Sequence, residues 1–147
     1  MNSTVLDASV ILRWAFEDEA DRSGAEALAQ ALQGGRLSVM APPNFLLEVA
    51  ASLVIALRAG RITRHTIDVV MEALGVIAID EVDAHQFVEA VVEVALRTGT
   101  RVADAAYLET ARRAKATLIT ADRLQLEGAI RMGLPAISLS EVPALES

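Results

Sequence analysis

The sequence holds 147 residues, 53% of them hydrophobic, so one domain with a real core is expected and a mainly disordered chain is excluded. It has no cysteine, which removes disulfide scaffolds, zinc fingers, iron–sulfur sites and thiol nucleophiles and favours a cytoplasmic setting. The net charge is −7, and of 13 basic residues all but Lys115 are Arg, so a polyanion would be met by a local Arg patch or a metal ion and not by overall charge.

With 27 alanines and five aromatics, the composition favours helices over an all-β sandwich. Met1–Thr4 lacks the basic-then-apolar pattern of a secretion signal, and no apolar run reaches the roughly 18 residues that span a bilayer. Thr4–Leu6 reads as a strand with Asp7 at its end, followed by a short helix over Ile11–Phe16. Glu19–Gln33 carries Ala and Leu at helical spacing and stops at Gly34-Gly35. Leu37–Met40 is a second strand, closed by Pro42-Pro43; helices over Phe45–Ala59 and Thr63–Leu74 end at Gly60 and Gly75. Val76–Ile79 is a third strand, and Asp83 with Gln86 has the spacing of a capping box for a helix running to Arg97. A helix over Ala103–Ala114, a strand over Thr117–Ile119, a helix over Leu124–Met132 and a strand over Ala136–Leu139 complete the chain. Strands rich in Val, Leu and Ile, each separated by helix, predict an α/β fold with a parallel sheet of five strands covered on both faces. Sites in such sheets form outside the carboxyl ends of the strands.

Four acids stand in apolar surroundings. Asp7 is the only ionisable side chain in residues 1–12; a helix N-cap is its plainest structural role. Glu48 is the only ionisable group from Ala41 to Leu57. Leu46, Val49, Ala50, Leu53 and Leu57 form one face of its helix and Phe45, Val54 and Ile55 make the rest apolar, a pattern that predicts a buried helix. A carboxylate there is costly unless paired, protonated or metal-bound, and no Lys or Arg lies within one turn. Asp104 is alone among small and apolar residues near a helix start, and Asp122 follows the fourth strand, where it makes a capping box with Gln125. Four carboxylates gathered at one sheet edge repel unless cations neutralise them. Such hard oxygen donors suit Mg²⁺ or Mn²⁺, and the matching chemistry is hydrolysis of a phosphodiester. His65 and His85 lie early in predicted helices and read as surface residues.

Val5-Leu6-Asp7-Ala8-Ser9-Val10, with Trp14 and Glu17-Asp18-Glu19, resembles the opening of PIN-domain proteins of the VapC toxin type. Pro42–Leu53 around Glu48, Ala103–Ala111 around Asp104 and Leu118–Asp122 resemble their second, third and fourth motifs, in order over nearly the whole chain. The resemblance implies a three-layer α/β fold, one PIN domain over residues 1–147, and a metal-dependent endoribonuclease that cuts RNA with Mg²⁺ or Mn²⁺. It implies neutralisation by a cognate VapB-type antitoxin. On it, Asp7, Glu48, Asp104 and Asp122 are the catalytic and metal-binding acids, and Ser9 and Thr120 support the site. Ala51 stands where many relatives carry Asn, and Ala103 where many carry Tyr.

Arg13 and Arg123 lie within two turns of site acids and are the expected RNA contacts, whereas Arg112, Arg113 and Lys115 suit a helix end. Leu28, Leu32, Ile62, Ile67 and Val70 are expected to leave apolar surface for a homodimer and for an antitoxin helix. The rival readings are a non-catalytic PIN-like interaction domain and a PIN-type nuclease that processes RNA. A flavodoxin- or receiver-like domain is disfavoured, because a receiver would want an adjacent acidic pair near its first strand and a Lys after its last, whereas Asp7 stands alone and Lys115 is the only lysine; a haloacid-dehalogenase phosphatase would need an Asp where Ser9 stands.

Overall fold

A computed structural model of the chain describes residues 2–15 and 22–142. In chain order the elements are β1 (Asn2–Leu6), α1 (Ala8–Ala15), α2 (Arg22–Gln33), β2 (Leu37–Ala41), α3 (Phe45–Arg58), α4 (Arg64–Gly75), β3 (Ile79–Glu81), α5 (Phe87–Thr98), α6 (Val102–Ala114), β4 (Thr117–Thr120), α7 (Arg123–Arg131) and β5 (Ala136–Ser138), then a short 3₁₀ turn over Leu139–Glu141. Phe16 and Glu19, expected as helix ends, lie outside the described residues, as do Glu17 and Asp18.

The strands form one sheet in the order β3-β2-β1-β4-β5, and every pair is parallel. Thr4, Val5 and Leu6 are buried in succession, as are Leu118, Ile119 and Thr120, so the two central strands are covered on both faces. The helices α5, α6 and α7 pack together with α6 against β1, β2 and β4, while α1 touches α2, α3 and α4. The result is a three-layer α/β fold with a core of Val, Leu, Ile and Ala around Phe45, Leu53, Leu108 and Leu139. No helix among the described residues is long and apolar enough to cross a membrane.

Three elements differ from the sequence reading, α1 first: it begins at Ala8, directly after Asp7, and not at Ile11. Val76 and Ile77 finish α4 through hydrogen bonds to Ala73 and Leu74, so β3 starts only at Ile79. Pairing of Ile79, Asp80 and Glu81 with Val39, Met40 and Ala41 then sets its register, and an edge strand tolerates the two acids. The expected box of Asp83 and Gln86 is not formed: Asp83 accepts from the His85 amide instead, and Gln86 takes a left-handed conformation with φ 52° before α5 begins. Arg113 holds that turn by donating to the carbonyls of Asp83, His85 and Gln86 and by lying over the Phe87 ring.

Leu28, Leu32, Ile62 and Val70 are core residues and Ile67 is half-buried against them, so they leave no face for a partner. The expectation failed because α1 brings α2 and α4 into the same core, which sequence periodicity cannot report. Exposed apolar area lies elsewhere, chiefly on α3 and α5 at Leu47, Ile55, Val88 and Leu96.

One close approach fixes α2. A Cβ at Gly24 would collide with the carbonyl oxygen of Leu139. Backbone cannot yield there as a side chain would, so Gly24→Ala is expected to cost about 2–3 kcal/mol. A urea melt checks this; a loss below about 0.5 kcal/mol would show that α2 slides freely over the 3₁₀ turn.

Candidate active site

The strand order reverses at β1: β2 and β3 extend the sheet to one side, β4 and β5 to the other. The carboxyl ends of β1 and β4 therefore border the crevice where ligands bind open α/β sheets. Asp7 leaves β1 directly into this position and is buried. Its Oδ1 accepts from the Ser9 hydroxyl and from the Val10 amide at 3.2 Å, so it also closes the first turn of α1. Its Oδ2 accepts from the Thr120 hydroxyl, the last residue of β4, at 2.8 Å. Burial pushes the Asp7 carboxyl above its ordinary 3.8, and the bonds from Ser9, Thr120 and Val10 only partly pull it back.

Thr120 carries the chain of contacts onward. Its hydroxyl oxygen accepts from the Asp122 amide at 2.9 Å, so Asp7 and Asp122 are joined through one side chain. Asp122 caps α7, its Oδ1 accepting from the amides of Leu124 and Gln125. The second half of the expected capping box is absent, because Gln125 is buried and donates to the Asp104 carbonyl at 3.3 Å instead. Its Oε1 is the one buried side-chain polar atom without a hydrogen-bond partner among the described residues. Asp104 sits in the first turn of α6 and pairs with Arg101 at 3.2 Å.

Glu48 corrects the sequence reading. It lies in the first turn of α3 and is exposed, not buried. The helix buries one face, Phe45, Val49, Leu53 and Ala56, while Leu46, Leu47 and Ile55 face outward. The Glu48 carboxylate is nevertheless held: Oε2 accepts from the Tyr107 hydroxyl at 3.1 Å. Tyr107 is buried on α6 and meets Phe45 edge-on. Burial, then the charge of Glu48 and the bond to it, and then the charge of Asp7 drive the phenol far above its usual range, so it stays a donor at any working pH.

Asp7, Ser9, Thr120 and Asp122 thus form one hydrogen-bonded group, Tyr107 holds Glu48 from α6, and Gln125 ties the backbone at Asp104 to the start of α7. No Arg or Lys pairs with Asp7 or Glu48 among the described residues. Carboxyl oxygens of this kind fit a hard divalent cation chemically. As placed, no three Asp, Glu or His side chains among the described residues converge closely enough to grip one. Arg123 opens α7 next to Asp122 and is exposed, with a 3.5 Å contact to Glu127; Arg13 lies in the last turn of α1. Arg112 and Arg113 turn to the buried Glu109. His65 and His85 are exposed.

Tyr107, Gln125 and Glu109 are the site and support residues that sequence reasoning missed. Tyr107 carried a signal: it is the only tyrosine and lies three residues after Asp104, on the same helix face.

Residues 4–130 match the PIN domain family. The crystal structure of PAE2754 from Pyrobaculum aerophilum is similar in fold, with a TM-score of 0.67 at 20% identity, covering 98% of this chain and 93% of that one. No curated protein matches the sequence. PIN domains are generally nucleases and generally use divalent metal ions. With its parallel five-stranded sheet, an aspartate at the end of β1 and a family match over most of its length, the chain belongs to the PIN domain family.

Proposed function

We propose that this chain is an endoribonuclease toxin of the VapC type, dependent on Mg²⁺ or Mn²⁺, neutralised by a cognate VapB-type antitoxin and acting as a cytoplasmic homodimer, with residues 1–147 forming one PIN domain. The observation that carries the nuclease reading is the buried Asp7 carboxyl at the junction of β1 and β4, bonded to Ser9 and Thr120 and lacking a cationic partner among the described residues. Keeping an ionisable acid there costs stability, which a bound cation offsets.

Asp7, Glu48, Asp104 and Asp122 would hold the ion, Asp104 exchanging Arg101 for it. Held there, a divalent ion would supply Lewis-acid polarisation of a phosphodiester for attack by water. Ser9 and Thr120 fix the rotamer of Asp7 by engaging both of its oxygens, and the Thr120–Asp122 contact ties the start of α7 to the same point. Arg123, and Arg13 on α1, supply positive charge for phosphate in a chain that is otherwise acidic. The RNA would then be met at the crevice and not by the surface as a whole.

The test is cleavage by purified protein. RNA should be cut with Mg²⁺ or Mn²⁺ and spared in EDTA; full activity in EDTA would end the metal-dependent reading. Glu48→Gln should lower cleavage at least about a hundredfold. It should also weaken Mn²⁺ binding in titration calorimetry and leave apo stability within about 0.5 kcal/mol, because Glu48 is exposed and glutamine still accepts from Tyr107. Unchanged Mn²⁺ affinity would remove Glu48 from the site. Growth arrest on expression, relieved by a neighbouring gene, separates a toxin from an RNA-processing nuclease. The apolar strip of Leu47, Ala50, Ala51, Val54 and Ile55 on α3 favours, as a second reading, an interaction domain, which would bind Mn²⁺ and cut nothing.

A further inference from the structure

Glu48 presents a problem of order. An exposed glutamate in the first turn of a helix rotates freely about three side-chain bonds, and freezing it on a cation costs entropy. On α3 its neighbours Phe45, Leu46, Leu47, Val49, Ala50 and Ala51 are apolar, and Ser52, the polar residue one turn on, makes no hydrogen bond to it among the described residues. What reaches it comes from 59 residues away in sequence: the Tyr107 hydroxyl, 3.1 Å from Oε2.

The phenol is itself held in the core. Its ring is buried and stands 82° to the Phe45 ring at 6.3 Å between centres, and Phe45 lies one turn from Glu48 on the same helix. A carboxylate only accepts, so the hydroxyl proton points to it. The hydroxyl therefore joins the first turn of α3 to the face of α6 that carries Asp104 one turn earlier.

We propose that Tyr107 is a positioning residue of the site: its hydroxyl, 3.1 Å from Oε2, holds the Glu48 carboxylate in one orientation before any cation arrives. This rests on Glu48 being a cation ligand. A carboxylate held through one oxygen keeps the other for a ligand, and the loss of a group that orients a ligand weakens metal binding about 10–100-fold. Tyr107 does not touch substrate in this role; it acts through Glu48.

Tyr107→Phe removes the hydroxyl and keeps the ring in the core. Mn²⁺ titration calorimetry should show about tenfold weaker binding than in the unaltered protein, with the melting temperature little changed. In a Glu48→Gln background, the same change should weaken binding no further, since two residues acting as one unit are not additive. Equal weakening in both backgrounds would make Tyr107 merely structural and overturn the inference. Full Mn²⁺ affinity in Tyr107→Phe, with Glu48→Gln impaired, would overturn it while leaving the site reading intact. Full affinity in both variants would refute the site reading and this inference with it. A further measurement needs no variant of Tyr107. Because the chain has a single tyrosine, fluorotyrosine labelling gives one fluorine NMR resonance. Mg²⁺ should move that resonance, and Glu48→Gln should abolish the movement. A resonance that stays fixed while calorimetry shows Mg²⁺ bound would overturn the proposal even if Tyr107→Phe failed to fold.

Discussion

Asp7→Asn is expected to lower cleavage about a thousandfold, equivalent to about 4 kcal/mol of transition-state stabilisation, while the fold survives. The asparagine oxygen still accepts from Thr120 or from Ser9 and Val10, so the contacts between β1 and β4 are largely kept. The more telling outcome is the dependence of stability on pH without metal. Burial raises the folded pKa of Asp7 above 3.8, so between the unfolded and folded values the native state binds the extra proton. Stability from this group is therefore present at acid pH and lost as pH rises through the folded pKa. An asparagine side chain does not titrate, so the variant loses this dependence. In EDTA, Asp7→Asn should melt at or above the unaltered protein near neutral pH, and that advantage should shrink as pH falls toward about 4. Thermal melts of the two proteins across this range check it; an advantage that widened toward acid pH would mean that the carboxylate is stabilised and not penalised where it sits.

A large effect on stability is expected at Arg112, outside the crevice. Glu109 is 1% exposed, and Arg112 meets it at 2.6 Å and at 2.7 and 2.9 Å through two nitrogens. The hydrogen bond to Glu109 raises the Arg112 pKa, with a smaller contribution from the carboxylate's charge. Arg113 approaches the same oxygen only at 3.8 Å and is already engaged with the turn before α5. Removing Arg112 leaves a buried carboxylate poorly paired, which typically costs 3–5 kcal/mol; because Arg112 is half exposed and water can enter, about 2–3 kcal/mol is expected for Arg112→Ala. That should lower the melting temperature by about 6–10 °C. Adding Glu109→Gln should restore more than half of the loss, since the stranded charge is then gone. A double variant as unstable as the single one would show that Arg112 packs and does not neutralise.

Much of this was legible in the residues. Short Val, Leu and Ile runs between helical stretches identify β1, β2 and β4, and the placement of Asp7 and Asp122 just beyond two of them follows from strand direction alone. Strand β3 was misplaced because Val76 and Ile77 are apolar enough for a strand but are spent on closing α4. The setting of Glu48 was misread for a different reason. Periodicity reports that a helix is apolar on several faces; it does not report whether anything covers the second face, and on α3 Leu47 and Ile55 are left exposed. Glu109 was overlooked because Arg at the third and fourth positions after it is also the pattern of a solvated helix end. The Tyr107–Glu48 contact joins two helices through the tertiary fold, and no local pattern encodes it.

The central position of β1 has a consequence for how the protein is made. β1 is synthesised before the strands on either side of it, and its partner β4 follows more than a hundred residues later. At about 5–20 residues per second, that interval is about 6–20 seconds. Throughout it, one edge of β1 has no neighbour from its own chain, and Asp7 has no Thr120. The sheet cannot close, and the hydrogen bond that completes the Asp7 carboxyl's surroundings cannot form, until about four-fifths of the chain exists. Whatever chemistry Asp7 performs is thereby withheld from a nascent chain still attached to its own message.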